Sequence, residues 1–302
     1  MAAASRVHTP IPAKLLAIAL ALGLVFGLYH LILHQSIARY LRNMAHNIPR
    51  CTGMHYSRLS IPFFALQAHI QNVTLDFENG IAPITASAVH IRRFRPGTQF
   101  PRVLDVALQG VVLDTAHPSL PFGQKWRDLG YSMLHGDLYI QWERRGENQD
   151  VWDVNTTLKI AEAGEMAFSF ELAKVNAEGV ALALAQPYNW LMVLPAIELI
   201  DLQGTYLEGG LFGRAVRTLA HTRDQSPDAF REALQHRLQM QAQRETNPSV
   251  QSVWQSLAAF CRHPDRIRLR TDLKRPIPLG QLLWLHQPRD VIQRLGLECR
   301  VG

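Results

Sequence analysis

The sequence predicts an α+β fold: an N-terminal transmembrane helix, then a curved antiparallel β-sheet with a C-terminal helical module packed on it. Three observations lead to this prediction. An apolar run lies close to the N-terminus, apolar residues alternate with polar ones over residues 50–208, and the apolar spacing changes to three or four residues over 209–302. Strict alternation is typical of strands with one buried face, whereas the longer spacing is typical of amphipathic helices.

The apolar run at residues 15–33 is predicted to cross a membrane. It is long enough for a hydrocarbon core of about 30 Å. No small-residue cleavage site follows it, so an uncleaved signal-anchor is favoured over a cleaved signal peptide. Basic residues flank the run almost equally and do not fix its orientation. Because large domains cross a membrane largely regardless of charge, we expect residues 1–14 in the cytoplasm and the following domain on the opposite side.

A juxtamembrane helix is predicted over residues 34–49. Pro49 would help to end it, because proline removes a backbone donor. The helix is indicated by apolar residues at spacings of four, three and four, namely Ile37, Leu41, Met44 and Ile48.

Residues 50–208 are predicted to form an antiparallel β domain. Its clearest signal lies in three consecutive segments, DLYIQWE, VWDVNTTLKI and EMAFSFELA, each with one apolar and one polar face. Turn-forming stretches separate them, so a meander is the simplest topology. If the sheet curls and this face stays open, it could hold an apolar ligand through Leu138, Ile140, Trp142, Trp152, Val154, Leu158, Met166, Phe168, Phe170 and Leu172.

The other strands of this domain have weaker signals. They are predicted near 84–94, 102–115 and 196–207, and the stretch 117–135, rich in proline and glycine, is predicted as a connection with one short helix. The first two strands, 56–61 and 66–75, are predicted to flank a turn at PFF. The apolar residues of the second strand change face between Ile70 and Val73, which indicates a bulge or a bend.

Residues 209–302 are predicted to form mainly helices. Ser226-Pro227 and Asn247-Pro248 each place a capping side chain directly before a proline at the first helical position. A basic strand in DRIRLRTDLK, two short helices and a terminal strand in LECRV follow. These helices are too short and too amphipathic to be further membrane spans.

The basic strand is the strongest charged feature of a chain whose formal net charge is +6. Its three arginines alternate with apolar residues and therefore share one face, where they could contact anionic lipid headgroups. The alternative is the solvent-facing side of an edge strand, where charge prevents unwanted pairing. Nucleic acid is not expected as a partner, because the row has no interleaved aromatic residues. The candidate headgroup contacts are Arg266, Arg268, Arg270, Lys274 and Arg275.

The three cysteines of the chain are not in a metal-binding spacing. In an oxidising compartment one disulfide is expected, with Cys261 and Cys299 as the pair because both lie in the C-terminal module. The alternative is that all three are buried free thiols.

The sequence has no nucleophile, phosphate-loop, dinucleotide or metalloprotease motif in a suitable context. We therefore predict no catalytic, cofactor-binding or metal-binding residues. A hydrolase whose site is assembled from distant positions stays open as the weakest alternative.

The N-terminal part of the chain has a recognisable order of elements. An anchor and a juxtamembrane helix precede four strands with a characteristic apolar pattern, carried by Tyr56, Leu59 and Ile61; Val73 and Leu75; Val89 and Ile91; and Leu108, Gly110, Val111 and Leu113. This order and pattern resemble the first module of AsmA-like bacterial envelope proteins and related single-pass periplasmic families of uncharacterised function. The similarity covers about a third of the chain, and the chain is far shorter than the lipid-bridging AsmA-like rods.

The resemblance implies a single-pass protein of the bacterial inner membrane whose C-terminal domain faces the periplasm. It also implies a non-enzymatic role in lipid binding, lipid homeostasis or envelope assembly, without a cofactor. Membrane lipids are the expected partners. The main alternative is a structural subunit that docks another envelope protein at the inner membrane.

Overall fold

The computed structural model describes Gln35 and residues 50–62, 67–95, 101–118, 120, 122–145, 151–185, 189–285 and 287–302. The predicted membrane span at 15–33 lies outside these residues, as does the predicted helix at 34–49 except for Gln35, which is helical. Among the described residues, none of the helices has the length and apolar character needed to cross a membrane.

An open antiparallel sheet forms the centre of the fold, and the described residues contribute 12 strands to it. Its order is β1-β3-β4-β5-β6-β7-β8-β9-β10-β12, with β2 paired to β3 and β11 paired to β9. The α+β class and the antiparallel sheet predicted from the sequence are confirmed. The strands are β1 Cys51–His55, β2 Arg58–Ser60, β3 Ala68–Phe77, β4 Ile84–Arg95, β5 Val103–Asp114, β6 Met133–Arg145, β7 Val151–Ile160, β8 Gly164–Ala173, β9 Glu198–Glu208, β10 Arg266–Arg270, β11 Ile277–Pro278 and β12 Glu298–Val301.

The sheet continues past residue 208, the predicted end of the β domain. The basic strand β10 pairs with β9, and the terminal strand β12 pairs with β10. The C-terminal module therefore supplies the last strands of the same sheet as well as the helices that cover it.

The helices lie mainly after β8, and the two whose capping residues the sequence predicts begin at those residues. The Asn247 side chain accepts hydrogen bonds from the backbone N–H groups of Ser249 and Val250, at 3.0 and 3.3 Å. The Ser226 hydroxyl accepts one from Ala229 at 3.2 Å. The helices are α1 Gly123–Asp128, α2 Ala177–Ala185, α3 Trp190–Val193, α4 Leu211–His221, α5 Pro227–Arg244, α6 Pro248–Arg262, α7 Leu279–Leu283 and α8 Pro288–Leu295, with a 3₁₀ turn at Leu194–Ala196.

A line of backbone irregularities crosses β3, β4 and β5. Asn72 has a left-handed φ of 51°, which accounts for the change of face between Ile70 and Val73, since both are buried. Gly110 on β5 has a φ of 57°, and a Cβ there would lie 2.5 Å from the Ser87 hydroxyl oxygen on β4. The pairing of β5 with β6 shifts at this point. Glycine is therefore required where the strand changes face.

Helix α6 covers the C-terminal end of the sheet. Val250, Val253 and Phe260 from this helix form one core with Ile267 of β10 and Cys299 of β12. The Phe260 ring lies against two further rings, those of Tyr206 and Phe212, with centroid separations of 6.1 and 5.4 Å. This core explains why the short β10 and β12 stay attached to the sheet.

Two further cores lie at opposite ends of β7, on the same face of the sheet. The first, here called the Trp152 core, is built from Trp152, Val175 and Ile197. The second, the Ile160 core, is built from Tyr131, Leu134, Ile160 and Ala163. Side chains of α2 and α3 cover the first, and side chains of α1 and α4 cover the second.

Candidate functional site

The apolar face predicted from the sequence is assembled by the register of β6, β7 and β8. Directly opposite residues of antiparallel strands have their side chains on the same face. The row at one end of this face consists of Arg144, Trp152 and Leu172. The rows across the three strands are Leu138–Leu158–Met166, Ile140–Thr156–Phe168 and Trp142–Val154–Phe170.

The same rows extend onto the neighbouring strands. On β5, Leu108, Val106 and Leu104 stand opposite Leu138, Ile140 and Trp142. On β9, Tyr206, Gly204 and Leu202 stand opposite Met166, Phe168 and Phe170. The alternation in β5 was visible in the sequence, but its place beside β6 follows only from the pairing.

Six of the ten predicted ligand-face residues belong to cores that the helices cover. Leu158 packs on the Ile160 core, while Phe170 packs on a core built around Leu199, Ile277 and Leu295. Trp152 belongs to the Trp152 core, and Trp142, Val154 and Leu172 pack on it. For these six residues, the structure shows packing rather than an open face.

The remaining four residues lie between the cores and are only half-buried. Together with two residues of β5 they form an apolar patch, here called the central strip, whose two halves are linked across β7 by Leu158 and interrupted there by Thr156. In the part of the chain that the structure describes, no buried cluster includes them. The central strip consists of Val106, Leu108, Leu138, Ile140, Met166 and Phe168, all of intermediate exposure.

Phe168 occupies the side of the strip next to β9. Its ring lies over Gly204, where an added Cβ would come within 3.1 Å of two ring carbons. Its ring also stacks with that of Phe170, with centroids 6.0 Å apart and planes 24° apart. Gly204 therefore leaves room for an aromatic ring to lie across two strands.

The opposite face of the same strands is polar. The Arg145 guanidinium forms two hydrogen bonds to the Asp153 carboxylate and one of 3.3 Å to Glu171. Burial, and then the Asp105 carboxylate, raise the pKa of Tyr139 on this face. A shallow depression of about 270 Å³ lies here, lined by Gln141, Glu143, Arg145, Asp153, Asn155 and Ser169. This surface suits water better than an apolar ligand.

The polar face also holds a hydrogen-bonded chain of side chains that the sequence analysis did not identify. The Nδ1 atoms of His69 and His90 are 3.1 Å apart across β3 and β4. The Gln71 amide nitrogen lies 3.1 Å from His69, and the Gln109 amide oxygen lies 3.1 Å from His90. Each contact has one donor and one acceptor when both imidazoles are neutral. Only strand pairing brings these residues together.

The candidate headgroup contacts fall into two separate places. Arg266, Arg268 and Arg270 lie on β10, which is an internal strand between β9 and β12, so the edge-strand interpretation is wrong. Their apolar neighbours Ile267 and Leu269 face the α6 core, which puts the arginines on the polar face. Lys274 and Arg275 are exposed in the segment between β10 and β11.

Pairing brings a fourth arginine to this row. Arg300 of β12 stands directly opposite Arg268, and Glu298 stands opposite Arg270. The Arg300 guanidinium lies 3.5 Å from the Glu298 carboxylate. The alternation of Glu298 and Arg300 in LECRV was visible in the sequence, but the strand with which it pairs was not.

All three cysteines are free in the structure, and the predicted disulfide between Cys261 and Cys299 is not formed. Cys261 and Cys299 are buried in the C-terminal module, as the alternative proposed, whereas Cys51 is only half-buried. Burial raises the pKa of the Cys261 and Cys299 thiols. The described residues contain no group of three or more His, Cys, Asp or Glu side chains placed to hold a metal ion.

Comparison with known proteins found a similarity over part of the chain. Residues 157–301 are similar to a family described as "Uncharacterized protein". No curated protein matches the chain. The similar segment runs from within β7 to β12, so it includes the β8 side of the central strip and the whole C-terminal module.

Proposed function

We propose that this chain is a membrane-anchored, non-enzymatic envelope protein that binds a lipid acyl chain along the central strip. The observation that carries the proposal is the strip itself. It is a set of half-buried apolar side chains on β5, β6 and β8, linked across β7 by Leu158 and held between two helix-covered cores at the ends of the strands. Apolar surface of this kind is typical of binding sites.

The dimensions of the face suit one acyl chain. The central strip reaches across four strands from β5 to β8, and a spacing of about 4.8 Å between strands makes it about 14 Å wide. A single leaflet offers its acyl chains about half of the roughly 30 Å hydrocarbon core. Each methylene that leaves water contributes about 0.8 kcal/mol, so partial burial of one chain gives a substantial driving force.

The sequence supports the same proposal from a second direction. The apolar run at 15–33 would hold the domain at a membrane, where lipid is the most abundant apolar molecule. The resemblance to AsmA-like proteins favours the bacterial inner membrane, with the domain in the periplasm. We include this location, the single span and membrane lipid as the partner in the proposal.

The basic row of β10 is not part of the proposed acyl site. The arginines lie on the polar face, whereas the strip lies on the apolar face of the same sheet. One lipid could not contact both directly. Headgroup contacts for a bound lipid would have to come from the ends of the strip.

The proposal predicts that a charge on the strip prevents lipid contact. The full chain is reconstituted in vesicles containing a phospholipid with a photoreactive group in its acyl chain, and cross-linked peptides are identified by mass spectrometry. We expect cross-links in β6 and β8. Ile140→Glu should reduce them about tenfold, because a carboxylate is costly to bury beside an acyl chain.

Gln141→Glu is the matched control for this experiment. It introduces the same charge one residue later on β6, on the polar face, and keeps an acceptor for the Tyr139 hydroxyl. It should leave the cross-links unchanged. Cross-links confined to residues 15–33, or equal in both variants, would contradict acyl binding. A stoichiometric protein cross-linked to the strip would favour the structural subunit instead.

A further inference from the structure

Four large, strongly exposed apolar side chains lie on α3 and at the end of α7, and α7 contacts the turn that follows α3 through Gly280 and Pro195. Leu191 and Met192 belong to α3 and are 70% and 78% exposed. Leu283 belongs to α7 and Trp284 follows it directly, and they are 48% and 78% exposed. We refer to these four residues as the apolar tip.

The backbone beneath the apolar tip is firmly packed. The Leu279 N–H at the start of α7 donates a 2.8 Å hydrogen bond to the Ile197 carbonyl. Gly280 lies so close to Pro195 that an added Cβ would be 2.7 Å from the proline Cα. Val193 and Leu279 pack on the Trp152 core. The tip residues are therefore the outward side of two short helices whose inward side is buried.

The apolar tip lies at a defined end of the sheet. The tip helices adjoin the start of β9, where β11 pairs with Glu198 and Leu199. Cys51, the first residue of β1, pairs with Phe77 at the opposite ends of the strands. The chain thus enters the sheet at one end and presents the tip at the other.

The size of the apolar tip distinguishes between two kinds of partner. Four such side chains with these exposures offer on the order of 500 Å² of surface, whereas each side of a standard protein interface buries about 800 Å². A bilayer needs no shape complementarity, and Trp is enriched at the membrane–water interface. The composition and small area favour a bilayer over a folded partner.

Two exposed basic side chains precede α7 in the chain. Lys274 and Arg275 are exposed and lie in the segment that leads into β11 and α7. Arg275 is four residues from Leu279, so the chain holds it within about 14 Å of the start of α7. Basic residues beside an inserted apolar group are attracted to anionic headgroups.

We propose that the apolar tip inserts into the interfacial region of a lipid bilayer, with Lys274 and Arg275 at its anionic headgroups. This contact is separate from the anchor at 15–33 and from acyl binding on the central strip. Through this surface, the end of the domain that lies farther from Cys51 contacts a membrane.

The test places an environment-sensitive fluorophore on the tip of the full chain in vesicles of phosphatidylethanolamine and phosphatidylglycerol. The label is attached to Met192→Cys in a Cys51→Ser background. The experiment has two arms. In the first, spin-labelled lipid is part of the vesicles that hold the protein; in the second, it is in separate vesicles that are added later. In at least one arm we expect quenching about threefold stronger than for a label at the exposed Glu232→Cys on α5.

Two variants make the test specific. Replacing Leu191 and Trp284 by Ser should remove most of the quenching, whereas Leu219→Ser, at an exposed apolar residue of α4, should not. Replacing Lys274 and Arg275 by Gln should weaken the quenching in anionic vesicles only. These readouts do not depend on lipid cross-linking at Ile140, so either proposal can fail alone.

Two results would overturn the bilayer contact. One is a tip label unquenched by lipid in both arms while soluble iodide still reaches it. The other is a label shielded from iodide but also unquenched by lipid, which would show that a protein covers the tip.

Discussion

At the scale of single residues, Glu208 shows how one side chain can join the sheet to a helix. It is the last residue of β9, and its carboxylate accepts hydrogen bonds from the backbone N–H groups of Gly210 and Phe212, at 2.8 and 3.1 Å. The Tyr206 hydroxyl also donates to it. These donors include the N-terminal N–H groups of α4, where negative charge is favourable.

The Tyr206 hydroxyl makes the stability of this junction depend on pH. Burial, then the hydrogen bond to Glu208 and its charge, raise the pKa of Tyr206 well above its ordinary value. The folded state therefore keeps this proton at a pH where the unfolded chain has lost it. The stabilisation is complete below about pH 10 and decreases as the pH rises further.

We predict that Tyr206→Phe flattens the alkaline loss of stability. The urea midpoint of the full chain in mild detergent is measured between about pH 8 and 11, the range that spans the ordinary tyrosine pKa. The variant should be less stable by about 1 kcal/mol at the lower pH, because one hydrogen bond is lost. Its curve should then fall less steeply than that of the natural chain. Parallel curves would contradict the role given to Tyr206.

At the scale of single elements, local signals in the sequence defined helices and strands well. The alternation around Trp142, Trp152 and Phe168 predicted β6, β7 and β8, because a strand with one wet face must alternate. Ser226 and Asn247 predicted the starts of α5 and α6, because capping depends only on the neighbouring backbone. Such signals are complete within a few residues of the chain.

The caps of α5 and α6 should differ in their importance. We predict that Asn247→Ala lowers the free energy of unfolding more than Ser226→Ala, with each effect about 1 kcal/mol. Asn247 accepts two hydrogen bonds, and Val250 of its helix is fully buried against the sheet. Urea unfolding of both variants measures the difference.

Asn247→Asp provides the control, because it keeps an acceptor at the cap and should restore most of the stability. An equal loss in Asn247→Ala and Ser226→Ala would contradict the greater importance given to the Asn247 cap.

Other elements could not be placed from local signals. The arginines of β10 alternate with Ile267 and Leu269 in the same way on an edge strand and on an internal strand. What makes β10 internal is its pairing with Arg300 and its neighbours, which lie some thirty residues later in the chain. Likewise, the alternation could not show that Phe170 packs under helices whereas Ile140, among the described residues, belongs to no buried cluster. That difference depends on where α2, α3, α7 and α8 pack.

At the scale of the whole molecule, the sheet is open and its two edges differ. At one edge, the short strands β1 and β2 both pair with β3, at different parts of its length. At the other edge lies the four-residue strand β12. Cys299 of β12 is buried in the α6 core, and its carbonyl accepts a 2.7 Å hydrogen bond from the Ser256 hydroxyl. The C-terminal edge is thus fixed by a helix rather than by further strands.

We predict that removing the last six residues disrupts this end of the molecule. A chain that ends at Gly296 lacks β12, so β10 becomes an unpaired edge and the α6 core loses Cys299. Unpaired edges promote association between chains. Size-exclusion chromatography should show aggregates, and limited proteolysis should cut within α6 or β10.

Removal of Gly302 alone is the matched control for this truncation. Gly302 is exposed, and its removal deletes a single-residue contact with β10, the 3.2 Å hydrogen bond from its N–H to the Arg266 carbonyl, while β12 itself is kept, so the shortened chain should stay monomeric and resist protease. A chain ending at Gly296 that stays monomeric and resists protease would show that β12 is dispensable.

The order of the strands has a consequence for the time at which the molecule becomes complete. From β3 to β9, each strand pairs with the one before it in the chain, so every strand finds its partner already synthesised. Such neighbouring pairs close short loops and form early. β10 differs, because it gains its second neighbour only after β12, some thirty residues later, has been synthesised. A nascent chain that stops between these two strands therefore exposes an unpaired strand, which a second nascent chain can pair with.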